Sequence, residues 1–234
     1  MQKIEKPDGE RQKSRTTTSF AILGLLSLRT WSTYELAKQV SRSLHWFWPR
    51  AERKLYDEPK ALVADGLATA SKSYTGERPR TVYEITDAGR AALTTWLDEP
   101  PAARVIEFEA MLKIFFADAG SIAQLVSTIK AVETSSRDRL SELAAMIDTI
   151  TGHPEFPDRL HISALTLRLQ FAQEAAALNW SRWALGEIES WQSTTDPGRW
   201  DPRTALAALT ADIHQTLRSE RGQSAFPPGE TANP

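Results

Sequence analysis

The sequence predicts a mainly α-helical protein with one small β-hairpin, arranged as two parts. Three observations support this prediction. Apolar residues recur at spacings of three and four through most of the chain, and two short extended segments flank Gly76. The pair Pro100-Pro101 interrupts the helical pattern near the middle. With 234 residues, the chain is long enough for two modest domains that each have a core.

The composition excludes several classes of protein. Cysteine is absent, which excludes a disulfide framework, a thiolate metal site and a cysteine nucleophile. The N-terminus has no apolar segment of signal-peptide length, and no run of eighteen apolar residues occurs. We therefore expect a cytoplasmic protein.

The charge is distributed unevenly between the two halves. Residues 1–97 carry 16 Lys and Arg against 11 Asp and Glu, whereas residues 98–234 carry 12 against 19. A basic first part followed by an acidic second part suggests that any polyanion binds to the first part.

The first part begins with three predicted helices. Residues 1–17 are polar and lack periodicity, so we expect a flexible arm, followed by a domain over residues 18–99. One helix ends near Leu28, and a capping box of Ser32 and Glu35 starts the second. A third helix follows Pro49, which suits a first helical position, and runs to Gly66.

The third helix has basic residues in its first turns, namely Arg50, Arg53 and Lys54. Such residues are typical of a helix that enters the major groove of DNA, although a solvated helical face explains the charges equally well. Pro59 removes a backbone donor, so we expect this helix to kink near Leu55 or to break into two pieces.

A β-hairpin follows, with strands over residues 67–73 and 81–85 and a turn at Gly76. We expect Pro79 to prevent a regular ladder near the tip, and Thr86 to cap a fourth helix. Three basic residues are expected around the tip of the hairpin: Lys72, Arg78 and Arg80. This order of elements is that of a winged helix-turn-helix.

Several motifs of the first part resemble the PadR family of bacterial transcriptional regulators. They are Thr33-Tyr34-Glu35-Leu36, Leu55-Tyr56, Leu62-Val63-Ala64-Asp65-Gly66-Leu67, and the segment from Gly76-Glu77-Arg78-Pro79-Arg80 to Thr86-Asp87-Ala88-Gly89-Arg90. Residues 98–234 are similar to the helical C-terminal dimerisation region of the longer, virulence-activator-like subgroup. The resemblance implies a winged-helix regulator that represses transcription until a small, often aromatic, molecule binds it.

The chain departs from the family pattern at three places. Arg53-Lys54 precede Leu55-Tyr56 where the family commonly has Gly-Thr, Pro59 stands where a leucine is usual, and Glu77 is inserted between Gly76 and Arg78. The operator sequence and the geometry of the wing tip therefore do not carry over from the family.

The second part is predicted to be a helical dimerisation and effector domain over residues 100–220, with a disordered tail over 221–234. Ser121 and Gln124 form a capping box that starts a long helix with one apolar stripe. The helix from Leu160 to Trp191 carries two apolar stripes, which require two partners. One stripe covers the preceding helix. The other requires either the winged domain or a second copy of the chain, and the alternative to a dimer is a monomeric helical bundle buried on both sides.

The sequence thus predicts a homodimeric regulator that binds a double-stranded DNA operator. The expected DNA contacts are Thr33, Tyr34, Arg50, Arg53, Lys54, Lys72, Arg78 and Arg80. Candidate effector contacts are Trp96, Trp180 and Trp183, although tryptophans at helical spacing usually fill a core. The alternative function is a dimeric interaction or adaptor protein on a winged-helix fold without specific DNA binding.

No catalytic residue, metal site or cofactor is predicted. No phosphate-binding glycine loop or nucleophile elbow occurs. The four histidines lack partners at metal-ligand spacing: His45, His153, His161 and His214. We therefore do not expect an enzyme.

Overall fold

A computed structural model describes residues 15–44, 46–48, 55–76 and 78–223. The chain divides into two compact units, residues 1–105 and 106–234. The first unit contains α1 (Thr17–Leu26), β1 (Trp31–Ser32), α2 (Thr33–Gln39), α3 (Glu58–Ala64), β2 (Ala68–Thr75), β3 (Arg78–Ile85) and α4 (Asp87–Asp98). The second contains α5 (Glu109–Phe115), α6 (Ile122–Gly152), α7 (Leu160–Ile188) and α8 (Pro202–Gln223).

The core of the first unit forms between its helices and the base of a three-stranded antiparallel sheet. The sheet has the order β1-β3-β2, and β1 pairs with β3 through Trp31↔Tyr83 and Ser32↔Val82. The Nε1–H of the buried Trp31 donates to the carbonyl of Leu25 at 2.7 Å, so its one polar atom is satisfied inside the core. The side chains in this core with almost no exposed surface are Ile22, Leu23, Leu26, Leu36, Val40 and Leu62.

The predicted cap of the second helix is confirmed. The Ser32 hydroxyl accepts from the backbone N–H of Glu35 at 3.3 Å, and the backbone N–H of Ser32 donates to Glu35 Oε2 at 2.8 Å. The helix continues to Leu44, and Val40–Leu44 form a wider π-helical turn.

The sequence predicted that Pro59 kinks the third helix near Leu55 or breaks it into two pieces; in the described residues Pro59 lies at the start of a helix and not inside one. The described helix begins at Glu58, and Pro59 lies buried in its first turn, where a missing N–H leaves no intrahelical bond unmade. Leu55–Asp57 form a turn before it. The first turns of the predicted third helix, from Pro49 to Lys54, lie outside the described residues.

The hairpin has a complete ladder, so the prediction that Pro79 interrupts it is wrong. Pairing runs from Ala68↔Ile85 to Tyr74↔Pro79 and Thr75↔Arg78. Pro79 is tolerated because β1 reaches β3 only at Val82 and Tyr83, which leaves the edge of β3 beside Pro79 without a described neighbour. Gly76 has a φ of +60°, as a two-residue hairpin turn requires.

The start of β2 and the start of α4 are joined through backbone atoms. The Thr86 N–H donates to the Leu67 carbonyl at 3.0 Å, and the Thr86 hydroxyl donates to the Gly66 carbonyl at 2.8 Å. The same hydroxyl oxygen accepts from the Gly89 N–H at 3.0 Å, which confirms the predicted cap of α4. A Cβ on Gly89 would lie 2.1 Å from the Leu67 carbonyl oxygen.

In the second unit, α6 and α7 run antiparallel, because the start of α6 and the end of α7 share one core cluster. This cluster contains Leu125, Ile129, Ala184 and Ile188. The capping box of Ser121 and Gln124 at the start of α6 is confirmed. The apolar face of α8 is exposed, and it includes Leu206, Leu209, Ile213 and Leu217. Among the helices of the described residues, none has the length and apolar composition of a membrane span.

We predict that Gly89→Ala destabilises the protein by about 1–3 kcal/mol, because the new methyl group must displace the Leu67 carbonyl or shift α4. Chemical denaturation monitored by circular dichroism measures the change. The matched control is Gly24→Ala in α1, where a Cβ meets no atom of another described residue within 4 Å. The control should be stabilised by up to about 1 kcal/mol. Equal effects of the two substitutions would contradict this account of Gly89.

Candidate functional site

The first turn of α2 presents an exposed aromatic side chain. Tyr34 is 75% exposed and Thr33 is half-buried, directly after the cap formed by Ser32. The capping box fixes the direction of this turn, so the two side chains project from a rigid helix end. The backbone N–H groups of a helix N-terminus and the side-chain hydroxyl groups of Thr33 and Tyr34 are suited to contact phosphate oxygens.

Glu35 links this helix end to the hairpin. Its Oε2 accepts from the Ser32 hydroxyl at 2.7 Å, while its Oε1 lies 3.4 Å from Arg80 Nη1 and 3.8 Å from Arg29 Nη1. The hydrogen bonds from the Ser32 hydroxyl and N–H lower the pKa of Glu35 below its usual value, and the positive charges of Arg80 and Arg29 add to this effect. Glu35 is therefore a charged cap that also holds Arg80.

The basic residues of the hairpin lie on both of its faces. Paired residues share a face and successive residues alternate, so Arg80 lies on one face and Lys72, paired with Thr81, lies on the other. Lys72 is exposed, and Arg80 is 42% exposed despite its ion pair with Glu35. The backbone of Arg78 lies next to the turn, but its side chain is outside the described part of the structure. Arg50, Arg53 and Lys54 lie outside the described residues as well.

The three tryptophans proposed from the sequence as effector contacts lie in different surroundings. Trp96 belongs to the first unit, where its ring stacks on Phe20 with centroids 4.9 Å apart and planes 4° apart. Trp180 and Trp183 lie in the second unit and line the same cavity. Trp96 thus has a structural partner, whereas the other two face a space that can hold a small molecule.

This cavity has a volume of about 360 Å³ and lies at the end of the α6–α7 pair. Sequence reasoning missed two further tryptophans in its wall, because Trp191 lies at the end of the predicted helix and Trp200 lies beyond it. The residues around it are Ile114, Phe115, Ala117, Asp118, Leu125, Ile129, Trp180, Trp183, Ala184, Glu187, Ile188, Trp191, Thr194 and Trp200. In the described part of the chain, no cluster of His, Asp or Glu is arranged to hold a metal ion.

Two family models match the chain in succession. The model of the transcriptional regulator PadR-like family matches residues 22–95, and the model named virulence activator alpha C-term matches residues 108–189. The negative transcriptional regulator PadR of Bacillus subtilis is 27% identical over 177 residues, which are 73% of this chain and 96% of that protein.

Solved structures of the Bacillus subtilis protein have the same fold. Its crystal structure in complex with operator DNA has a TM-score of 0.65 at 25% identity and covers 74% of this chain and 99% of that one. Its structure with p-coumaric acid has a TM-score of 0.60 at 23% identity, with coverage of 75% and 99%.

The matched regions correspond to the two units of the fold. The first match begins within α1 and includes α2, α3, the sheet and most of α4, and the second spans α5 to the end of α7. The family consists of regulators and not of enzymes. The chain is therefore a PadR-like, DNA-binding transcriptional regulator, with a winged helix-turn-helix and a virulence-activator-type helical C-terminal domain.

Proposed function

We propose that the chain acts as a homodimeric repressor in the cytoplasm, which binds a double-stranded DNA operator and releases it when a small molecule binds. The observation that supports a dimer is the exposed apolar stripe of α7. The DNA-binding part is assigned to residues 18–99 and the dimerisation and effector part to residues 100–220.

The proposed DNA contacts differ in the part of the DNA that they approach. Arg50, Arg53 and Lys54 approach the bases or phosphates of a major groove, as expected for the start of a recognition helix. Tyr34 and Thr33 approach the phosphate backbone beside it. The basic residues of the hairpin, Lys72, Arg78 and Arg80, contact phosphates or the minor groove, and they position the domain without specifying sequence.

The dimer follows from the side of α7 that α6 leaves uncovered. Leu165 is 72% exposed and Leu169 is 54% exposed, and both belong to the same stripe. In α5 no described residue is buried, which adds Leu112 to the exposed apolar surface. Burial of this surface against a second copy removes it from water and gives the protein the two-fold symmetry of a palindromic operator.

The effector proposal rests on the cavity lined by Trp180 and Trp183. The Bacillus subtilis relative has been solved both with operator DNA and with p-coumaric acid. A small molecule with an aromatic group fits a space of this volume with tryptophan walls. Trp96, stacked on Phe20, is assigned a structural role.

A mobility shift tests the regulator directly. Purified protein is titrated against DNA from upstream of its own gene and against unrelated DNA of equal length, at about 150 mM salt, where non-specific phosphate binding is weak. A preference of at least about a thousandfold supports the proposal. No preference, followed by no enriched site in a genomic binding selection, would favour a dimeric adaptor.

We predict that Lys72→Gln weakens binding to all DNA sequences by about fivefold, because one phosphate contact is lost. The slope of log K against log salt should become shallower by about 0.9. The control is Lys130→Gln, an exposed lysine on α6 that gives the same change in net charge. A loss confined to the operator would mean that Lys72 reads bases.

We predict that Leu169→Lys converts the dimer into a monomer with the fold retained, because a charge is placed on the exposed apolar stripe of α7. Sedimentation velocity and circular dichroism measure the two properties. Ala164→Lys is the control, since Ala164 is exposed on the same helix but outside that stripe. A dimeric Leu169→Lys protein would contradict the proposed interface.

We predict that Glu35→Gln destabilises the protein by about 1 kcal/mol near neutral pH, because the charged cap is lost. The pKa of Glu35 is lowered by folding, so its stabilising effect is present above pH 4.5 and is lost as the pH falls below that value. Urea denaturation from pH 7 to pH 3 should therefore show the difference between wild type and variant shrinking in acid. The control is Glu84→Gln, an exposed carboxylate of β3. A difference that stays constant with pH would contradict the assignment.

A further inference from the structure

A buried apolar cluster forms the base of the cavity in the second unit. It lies where α5, the 3₁₀ turn Ala117–Ala119, the start of α6, the end of α7 and the following loop meet. Leu125, Ile129, Ala184 and Ile188 form the floor as a buried cluster. The volume of about 360 Å³ lies within the range of small-molecule sites, about 300–1,000 Å³.

The loop after α7 is held in place as a wall of this cavity. The Thr194 hydroxyl donates to the Gly120 carbonyl at 3.4 Å, which connects the loop to the segment before α6. Gly198 has a φ of +62°, and a Cβ there would lie 2.6 Å from the Ser190 carbonyl oxygen. The loop therefore forms this wall of the cavity without a bound ligand.

Tryptophan rings supply most of the aromatic surface. Trp180, Trp183, Trp191 and Trp200 all line the cavity, and the rings of Trp191 and Trp200 have centroids 5.4 Å apart at an angle of 43°. The face of an indole ring carries negative electrostatic potential and attracts cations more strongly than the other aromatic side chains do. Four indoles around one space favour a ligand with positive charge.

The charged residues that line the cavity are acidic, so their charge is negative like the electrostatic potential of the indole faces. Asp118 and Glu187 line the cavity, and its lining contains no Lys, Arg or His among the described residues. Neither carboxylate forms an ion pair within the described part of the chain. The Trp191 Nε1–H is buried and has no acceptor among the described residues.

We propose that this cavity binds a small organic cation with an apolar body, of the arylalkylamine class, whose ammonium group lies between the indoles and the carboxylates of Asp118 and Glu187. An aromatic carboxylate of the same size faces two negative charges there and binds more weakly. The regulatory consequence, that such a cation alters DNA affinity, rests on the function proposed above. The binding itself does not.

A matched series of three probes tests the preference for charge. The full chain is titrated with 4-phenylbutylamine, 4-phenylbutanol and 4-phenylbutyrate at pH 7, with tryptophan fluorescence and isothermal titration calorimetry as readouts. We expect the amine to bind about tenfold more tightly than the alcohol, and the butyrate to bind most weakly. Equal affinities, a reversed order or no saturable binding of the amine would overturn the proposal. The last result includes the case in which a second copy of the chain covers the cavity.

Variants of Asp118 and Glu187 test whether the ammonium group of the ligand lies beside these two carboxylates. The double variant Asp118→Asn with Glu187→Gln should bind the amine about tenfold more weakly while its affinity for the alcohol stays unchanged. Retained binding of the alcohol shows that the cavity is still folded. Glu189→Gln, an exposed glutamate just beyond α7, is the control and should behave as wild type. Unchanged affinity of the double variant for the amine would overturn the proposal.

The same proteins are then tested with DNA, which separates this proposal from the proposed function. Sequence-specific DNA binding without amine binding overturns the ligand site and leaves the regulator intact. Saturable amine binding that follows the expected order, in a protein that prefers no DNA sequence, supports the ligand site and overturns the regulator.

Discussion

The close approach of the Leu67 carbonyl to the first turn of α4 determines how the first unit is assembled. The carbonyl accepts the Thr86 N–H at 3.0 Å and occupies the space where any side chain at position 89 would begin. The start of β2 is thereby fixed to the end of β3, which sets the base of the hairpin. The Gly66-Leu67 and Thr86 to Gly89 motifs, separate in sequence, are the two halves of this one contact.

A second link joins the base of the hairpin to the helix-turn-helix. Glu35 caps α2 through Ser32 and holds Arg80 of β3 through its other oxygen. One carboxylate thus couples the orientation of the helix that presents Tyr34 to the orientation of a strand of the hairpin. The hydrogen bonds that Ser32 donates are the largest cause of the lowered pKa of Glu35, whereas the link to Arg80 is a partly exposed ion pair, which alone contributes little.

Interactions between residues close in sequence made much of the fold predictable. The features that were not predicted depend on contacts between residues distant in sequence. The capping boxes at Ser32 and Ser121 involve residues three apart, so the sequence contains them in full. Pro79 was misjudged because its tolerance depends on where β1 pairs with β3, a contact between residues that are distant in sequence, such as Ser32 and Val82. Trp191 and Trp200 escaped notice because their common role arises only when the loop closes against the segment before α6. The two apolar stripes of α7 were predictable from spacing, but which stripe α6 covers was not.

The two-residue turn between Thr75 and Arg78 has a consequence for how the hairpin can vary in length. An odd insertion within either strand would exchange the two faces from that point onward and would move each basic side chain to the opposite side. An insertion in the turn leaves the alternation of both strands intact. Because the chain has Glu77 where the family motif has no residue, the separation of Gly76 from Arg78 in the sequence differs from that motif, while the described strands keep their alternation.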